Sequence, residues 1–527
     1  MLTLNALDAG AAIVGVWLIL KLSQSFRRSV KLSDIPGPPS ASWIHGATKE
    51  IFANGSAVTF EKWEKLYGPV FRVPISLNSS EVVIFDTKAL SHIISKDTFE
   101  YVNPAFMKKN SLNLFGKGLM WSDGENHRRQ RKVLNPLFNV SSIRSMVPTF
   151  FDSAHKIKSA WESIIQQSST DEAVIDISKW MNGYSLDSVG LAIFGHDFAT
   201  LDGKESDIAK LNDSLGTTRL TRFESVVSRL SSALPILRGV PNPRSRIISS
   251  IHDCLSEIAN DLVEGSSKGD TSYDRTIIST LLKAKEGNTM SEEEVISQIR
   301  ILLQAGYETT AIGLTFVLID LAKNPDAQNS LRNEILSLPT SEPTFDQILN
   351  SDALPYLSAV IQESLRIHPP VGQIVREAAQ DDALPLNSPI VGKSGEKIER
   401  LMIPKGTMIN IPLRSVNLSN AFWGPNAKEF VPERWLDNEK GVPQRAKEIQ
   451  GYHHTLTFMD GPRMCLGRNI AVAEMKTAVA ILVRNFTFEM RDGPNTKMQN
   501  VINLFARPKV VGEEGYAMPL RIRRFEA

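Results

Sequence analysis

The stretch Phe458-Met459-Asp460-Gly461-Pro462-Arg463-Met464-Cys465-Leu466-Gly467 decides how this chain is read. It sets Cys465, one of only two cysteines, in a short loop with glycines four residues before it and two after, and with Arg463 two residues before. Glycines let backbone N–H groups turn toward a sulfur, and nearby positive charge lowers a thiol pKa, so a thiolate is the expected resting form. A sulfur held this way can be an anionic ligand to iron. Thiolate ligation of a haem iron pushes electron density onto the metal and favours O–O cleavage. The competing reading of these residues alone is a buried structural cysteine on a glycine-containing turn.

The remaining composition is that of a folded globular protein: 527 residues, 42% hydrophobic and 22% charged. This length allows two or three domains or one large catalytic domain, and no internal boundary is visible. A formal net charge of +1 gives no sign of a nucleic-acid or strongly acidic partner. With Cys254 and Cys465 as the only cysteines, no disulfide framework is expected, which fits a reducing compartment.

The N-terminus departs from this pattern. Ala9 to Leu20 is an unbroken run of apolar or small residues, and extending it back to Leu2 adds only Thr3, Asn5 and Asp8 as polar interruptions. As a helix, that span would be about 28 Å long, near the hydrocarbon thickness of a bilayer. Lys21, Arg27, Arg28 and Lys31 follow it and no Lys or Arg precedes it, so the positive-inside rule keeps the following domain cytosolic. A cleaved signal peptide would want its charge before the apolar run. Residues 1–22 are therefore expected to form a membrane anchor in contact with lipid. Residues 23–40, basic and then proline-rich at Ile35-Pro36-Gly37-Pro38-Pro39, are expected to form a stiff hinge to a body at 41–527.

Most of the body has helical spacing, as in Ile157 to Ile165, Met181 to Ile193, Ile247 to Leu262, Glu292 to Lys323, Leu354 to Arg366 and Ile470 to Asn485. Strand signals are few: a hairpin-like pair, Val70 to Ile75 and Val82 to Phe85, and Thr407 to Pro412. The pattern predicts a mainly α fold with small β-sheets. Within the long apolar helix, Ala305-Gly306-Tyr307-Glu308-Thr309-Thr310 puts a glycine where it costs about 1 kcal/mol relative to alanine. Gly306 can let a ligand approach the backbone, or be a helix-packing position. Likewise Glu308 and Thr309 can relay protons, or Thr309 can be an ordinary buried hydroxyl. Glu363 and Arg366 share a helical face, and Pro432-Glu433-Arg434-Trp435 can supply a second charge to join them in a buried network. In His127-Arg128-Arg129-Gln130-Arg131-Lys132, positions 127 and 131 share one face and 128 and 132 the next, so one face can hold an internal anion and the other meet a partner. A solvated basic helix face is the alternative.

The order and separation of these motifs resemble the cytochrome P450 family over everything after the hinge, with Trp423-Gly424-Pro425-Asn426-Ala427 most like fungal members. The resemblance implies a haem-thiolate monooxygenase of the cytochrome P450 fold, with an N-terminal transmembrane helix. Such a protein sits single-pass in the endoplasmic reticulum membrane with its catalytic domain cytosolic. By the resemblance, Cys465 is the axial ligand to haem b iron, and Arg463, Arg131, His127 and Arg376 meet the propionates. The family often has tryptophan where His127 stands. Glu308 and Thr309 match the family's acid–alcohol pair, and Glu363, Arg366 and Arg434 its structural triad. A small residue is usual where Met459 lies, and phenylalanine is common where Trp435 lies. Electrons are expected from NADPH through NADPH–cytochrome P450 reductase docked on a basic face, with Arg128, Arg129 and Lys132 as candidates.

The resemblance places the substrate pocket at Phe106, Phe115, Tyr307, Val371 and Ile374, with Gln373 and Asn113 able to orient one oxygen, so an apolar small molecule is expected. A fungal secondary metabolite of terpenoid type comes first, and a fatty acid second. A reductase-independent haem-thiolate isomerase or dehydratase is the enzymatic alternative, though such relatives commonly lack the pair that stands here at Glu308 and Thr309. A non-catalytic haem sensor or carrier would not need that pair. Cytosolic topology is checked by glycosylation: sequons such as Asn78-Ser79-Ser80 and Asn417-Leu418-Ser419 are expected to carry no glycan, and a mobility shift on endoglycosidase treatment would reverse the orientation.

Overall fold

The computed structural model describes residues 32–42, 45–75, 79–218, 221, 224, 242–267, 276–340, 342–502 and 504–526. The anchor expected at 1–22 and residues 23–31 of the hinge lie outside them. The described chain divides into two compact units, each built from separated segments. One contains residues 32–104 and 373–415, and the other 105–218, 242–372 and 416–526.

The first unit holds two sheets beside the helices Thr48–Asn54, Ser56–Tyr67 and Thr87–Ser95. Val70–Pro74 and Ser80–Ile84 form the expected antiparallel hairpin, with Phe71 opposite Val83. Met408–Ile411 adds in parallel to the second strand, and Ile374–Ala378 and Tyr101–Val102 complete five strands. The apolar side chains of Val70, Phe71 and Val73 are buried. A further antiparallel pair, Asp382–Val391 with Lys397–Ile403, was not legible, because Pro385 and Pro389 and the charges of Lys397, Glu399 and Arg400 interrupt its alternation. The described part of the hinge lies on this unit: Arg72 N–H donates to Pro36 C=O at 2.8 Å, and Ile35 is buried.

The second unit is helical. Its main helices are α1 (Gly124–Leu134), α2 (Val140–Gln166), α3 (Ile177–Val189), α4 (Asp207–Thr217), α5 (Pro243–Ser267), α6 (Glu292–Lys323), α7 (Pro355–Ile367) and α8 (Arg468–Asn485). Two small sheets accompany them, Glu172–Asp176 with Pro519–Arg524 and Phe486–Met490, and Met498–Ile502 with Ala506–Val510. The expected start of α6 is set by a capping box, in which Ser291 accepts from the Glu294 N–H and Glu294 accepts from the Ser291 N–H. Among the described residues α6 is long and apolar enough to cross a membrane, yet nearly all of its C-terminal half is buried within this unit.

Both glycines of α6 serve packing. A Cβ on Gly306 would lie 3.2 Å from Val189 Cγ1 on α3, and one on Gly313 would lie 3.0 Å from Met475 Cε on α8. Of the two readings left open for Gly306, helix packing is the one the neighbouring atoms support, rather than ligand access to the backbone. Asn417 is fully buried, its amide bonded to Leu456 N–H and the Thr457 hydroxyl, so it would escape glycosylation in any compartment. The other sequons, Asn78-Ser79-Ser80 and Asn139-Val140-Ser141 among them, carry the topology test.

The buried Glu363 carboxylate accepts five hydrogen bonds. Its Oε1 accepts from Arg366 Nη2 (2.8 Å), Arg434 Nε (3.0 Å) and Val431 N–H (3.1 Å), and its Oε2 from Arg366 Nε (2.9 Å) and Trp435 Nε1 (3.0 Å). Trp435 thus supplies a donor that a phenylalanine would lack. Glu363→Ala would leave two guanidinium groups buried without their carboxylate, a loss of about 3–5 kcal/mol. Trp435→Phe removes one bond to a charged group, about 1.5–3 kcal/mol. Denaturant midpoints of the two variants should fall in that order, and an unchanged midpoint for Glu363→Ala would show the network to be idle.

Candidate active site

Cys465 stands where a short 3-10 turn, Gly461–Arg463, feeds into α8. Gly461 takes φ +67°, a backbone that glycine adopts freely. Met459 takes φ +56°, which accounts for the small residue usual at its position. The Cys465 N–H is fixed on Phe458 C=O at 2.8 Å. Its sulfur accepts from the backbone N–H groups of Gly467 and Arg468, at the positive end of the 18-residue α8.

The Cys465 side chain is exposed, open to a bound group. The protein packed around it pushes the thiol up, while the Gly467 N–H, the Arg131 and Arg468 guanidinium groups and the Arg468 N–H pull it down. Arg463 bonds Ser122 C=O at 2.6 Å and pairs with the Asp123 carboxylate. A coordinated metal ion would complete the balance, because a ligating thiol is deprotonated outright.

The other residues expected around the cofactor fall into two groups. His127 is buried one turn before Arg131 on the same face of α1. Arg131, Arg463 and Cys465 are close enough to perturb one another: burial lowers the half-buried Arg131 guanidinium, Cys465 acts to raise it and Arg463 to lower it. Among the described residues the Arg131 guanidinium makes no hydrogen bond to protein. A sulfur ringed by donors and an arginine able to meet a carboxylate fit a haem with its iron and propionates. Arg376 belongs to the first unit, where its Nε lies 3.0 Å from both Asp97 oxygens and its Nη1 reaches Asn103 and Val375 C=O.

The neighbouring basic residues of α1 differ from one another. Arg128 and Lys132 are exposed. Arg129 is a clamp between elements, its Nη2 2.5 Å from Glu294 Oε1 and its Nη1 bonded to Thr289 C=O. Burial works against it, yet bonds from Arg129, the Ser291 N–H and Gln130 hold the Glu294 carboxyl down to about 2.

On α6 the Thr309 hydroxyl donates to Ala305 C=O at 2.7 Å, one turn back, which leaves its oxygen free to accept. Glu308 is buried and held from both sides. Its Oε1 accepts from Arg507 Nη2 (2.9 Å) and Nε (3.1 Å), and its Oε2 from the Gln304 amide. Gln304 bonds in turn to Asn212 on α4, and Asn212 to the Tyr307 hydroxyl. Burial pushes the Glu308 carboxyl up while Arg507 and Gln304 pull it down.

Of the residues expected to line the substrate pocket, Phe115 and Tyr307 are buried, Phe106 and Val371 are partly exposed, and Ile374 lies in a strand of the first unit. A cavity of about 620 Å3 opens elsewhere in the second unit, among α3, α4 and the C-terminal segment, and Cys465 is not in its wall. Arg507, Asp213, Gln304 and Asn212 were missed as site residues. Arg507 is 199 positions from Glu308 and sits in a two-stranded ribbon with no local motif to mark it.

A family model described as Cytochrome P450 matches residues 36–511. Among curated proteins, the chain is 43% identical to cytochrome P450 monooxygenase claP of Ampulloclitocybe clavipes, over 99% of each chain. It is 43% identical to claQ of the same fungus, covering 98% of this chain and 97% of that one. Cytochrome P450 monooxygenase 205 of Postia placenta is 33% identical over 99% of this chain and 98% of its own. The chain belongs to the cytochrome P450 family and is a haem-thiolate monooxygenase.

Proposed function

We propose that this monooxygenase inserts one atom of dioxygen into an apolar fungal secondary metabolite of terpenoid type, taking electrons from NADPH through a membrane-bound reductase. The observation that carries the reading is the Cys465 sulfur, which accepts two backbone N–H bonds at the head of α8 with Arg131 and Arg468 beside it. Haem bound through that sulfur supplies dioxygen activation and attack on an unactivated C–H bond.

The chain's own residues supply position, dryness and protons. Arg131, Arg463, His127 and Arg376 are assigned to the haem carboxylates, where a planar guanidinium suits two oxygens. Phe106, Phe115, Tyr307, Val371 and Ile374 are assigned to the substrate side, which favours an apolar ligand. Two cations that could attract a carboxylate substrate, Lys108 and Arg507, are already paired with Asp123 and with Glu308 and Asp213, which favours a terpenoid over a fatty acid. Thr309 is the hydroxyl that accepts and passes a proton at Oγ1, and Glu308 is the acid that replenishes it. Arg128 and Lys132 present exposed charge to a reductase, and the anchor at 1–22 would keep both proteins at the endoplasmic reticulum membrane.

Co-expressed with a reductase and fed terpenes and fatty acids, the enzyme should release terpenoid products carrying one oxygen atom from labelled dioxygen, only with NADPH. Cys465→Ser should abolish both the products and the thiolate-type reduced carbon-monoxide spectrum. Turnover without NADPH would favour a rearrangement enzyme, and fatty-acid products alone would replace the substrate class. Glu308→Gln and Thr309→Ala should each slow product formation by about a hundredfold, the lower range for a lost general acid. NADPH consumption would then be diverted to hydrogen peroxide. An unchanged ratio of product to NADPH would remove both residues from the proton path.

A further inference from the structure

The cavity of about 620 Å3 lies wholly within the second unit, and neither Cys465 nor Glu308 is in its wall. Its volume falls in the range of about 300–1,000 Å3 in which small-molecule sites occur. It is bounded by α3, by residues 200–213, which include the start of α4, and by Arg507 and residues 514–517. The less exposed part of this wall is apolar. Leu186 and Tyr516 are buried, Trp180 and Leu201 are partly buried, and Trp180 stands edge-on to the buried Trp161 with 6.2 Å between ring centroids.

The charges around the cavity cancel. Lys210 pairs with Glu205 and Arg507 with Asp213, both at 2.5 Å. The Asp176 carboxylate accepts from the Ser178 and Met518 N–H groups at 3.1 and 2.9 Å, and Lys179, Lys204 and Glu514 are exposed. Four cations therefore face four acids, and the wall as a whole favours a ligand of neither sign. One polar atom is left over. Asn182 spends its Nδ2 on Ser178 C=O at 2.9 Å, while its Oδ1, shielded from solvent, accepts no hydrogen bond among the described residues. An acceptor so placed is costly until a donor reaches it.

We propose that this cavity is a second small-molecule site, separate from the reaction site, for a neutral apolar alcohol. Its hydroxyl donates to Asn182 Oδ1, and its hydrocarbon body lies against Trp180, Leu186, Leu201 and Tyr516. An apolar alcohol is also the kind of molecule that the reaction proposed above releases. That link rests on that reading, whereas the site rests on the wall alone.

The test uses the holoenzyme with its iron and reaction pocket filled by a bulky azole inhibitor, and follows farnesol by equilibrium dialysis without turnover. One equivalent should bind. Farnesene, which has the hydrocarbon body without the hydroxyl, should bind about five- to tenfold more weakly, the factor that one neutral hydrogen bond supplies. Dodecanoate should also bind more weakly than farnesol, because its charge finds no net field in the wall. Asn182→Leu should bring farnesol down to the level of farnesene. Ala209→Trp and Ala517→Trp place an indole in the cavity from two different elements, and each should abolish farnesol binding, so either one reads the result if the other folds poorly. Folding is checked by the reduced carbon-monoxide spectrum of each variant without azole, which should match the wild type. The proposal is overturned by a wild type that binds no farnesol beside the azole, by equal binding of farnesol and farnesene, by tighter binding of dodecanoate, or by undiminished binding in a folded tryptophan variant. None of these touches the proposed reaction, which a missing thiolate-type spectrum would remove instead.

Discussion

The second unit depends on one buried carboxylate. Glu363 accepts five bonds, and the three from Val431, Arg434 and Trp435 tie α7 to the segment that leads toward Cys465. Arg366, held by it, spends Nη1 on the carbonyls of Asn417 (2.7 Å) and Ala427 (2.6 Å) and stacks 4.8 Å from the Trp423 ring. Asn417, so fixed, accepts from Leu456 N–H and donates to Thr457, whose hydroxyl donates back to Leu365 C=O. From Thr457 it is one residue to Phe458, whose carbonyl holds the Cys465 N–H. A charge whose burial would otherwise be strongly unfavourable thus sets the height of a sulfur about a hundred positions later. Removing Glu363 leaves Arg366 and Arg434 buried without their carboxylate, whereas removing Trp435 takes away one bond of five.

Local signals in the sequence carried much of this, and non-local ones did not. The bounds of α6 are legible because its apolar run is long and its ends carry a capping serine and a lysine. The hairpin of the first unit is legible from β-branched alternation around a turn. Glu363, Arg366 and Arg434 could be named together because the first two are one helical turn apart and the third lies in a recognisable short motif. Gly306 could not be decided, since its partner Val189 lies on another helix. Arg463 shows the same limit, because spacing places an arginine near the sulfur while only the fold shows its pairing with Asp123.

An apolar core helix is a poor place for an ionisable acid, and α6 shows what makes Glu308 tolerable there. The carboxylate is surrounded on three sides by groups that need each other: Gln304 bonds both Glu308 and Asn212, Asn212 bonds Tyr307, and Arg507 bonds Glu308 and Asp213. Burial raises Glu308 and Tyr307 alike, so the hydroxyl stays neutral and the one cation is left to balance the acids. Satisfied networks of this kind are rigid, and rigidity would suit a purely structural acid. What distinguishes Glu308 from Glu363 is where its arginines lead. Arg366 and Arg434 are fixed at their far ends by backbone carbonyls, which cannot change charge or move without unfolding the segment. Arg507 ends instead on the exposed side chain of Asp213. The same pair of residue types is therefore anchored to backbone at one site and to a surface carboxylate at the other, and the difference lies in the partner one bond further out.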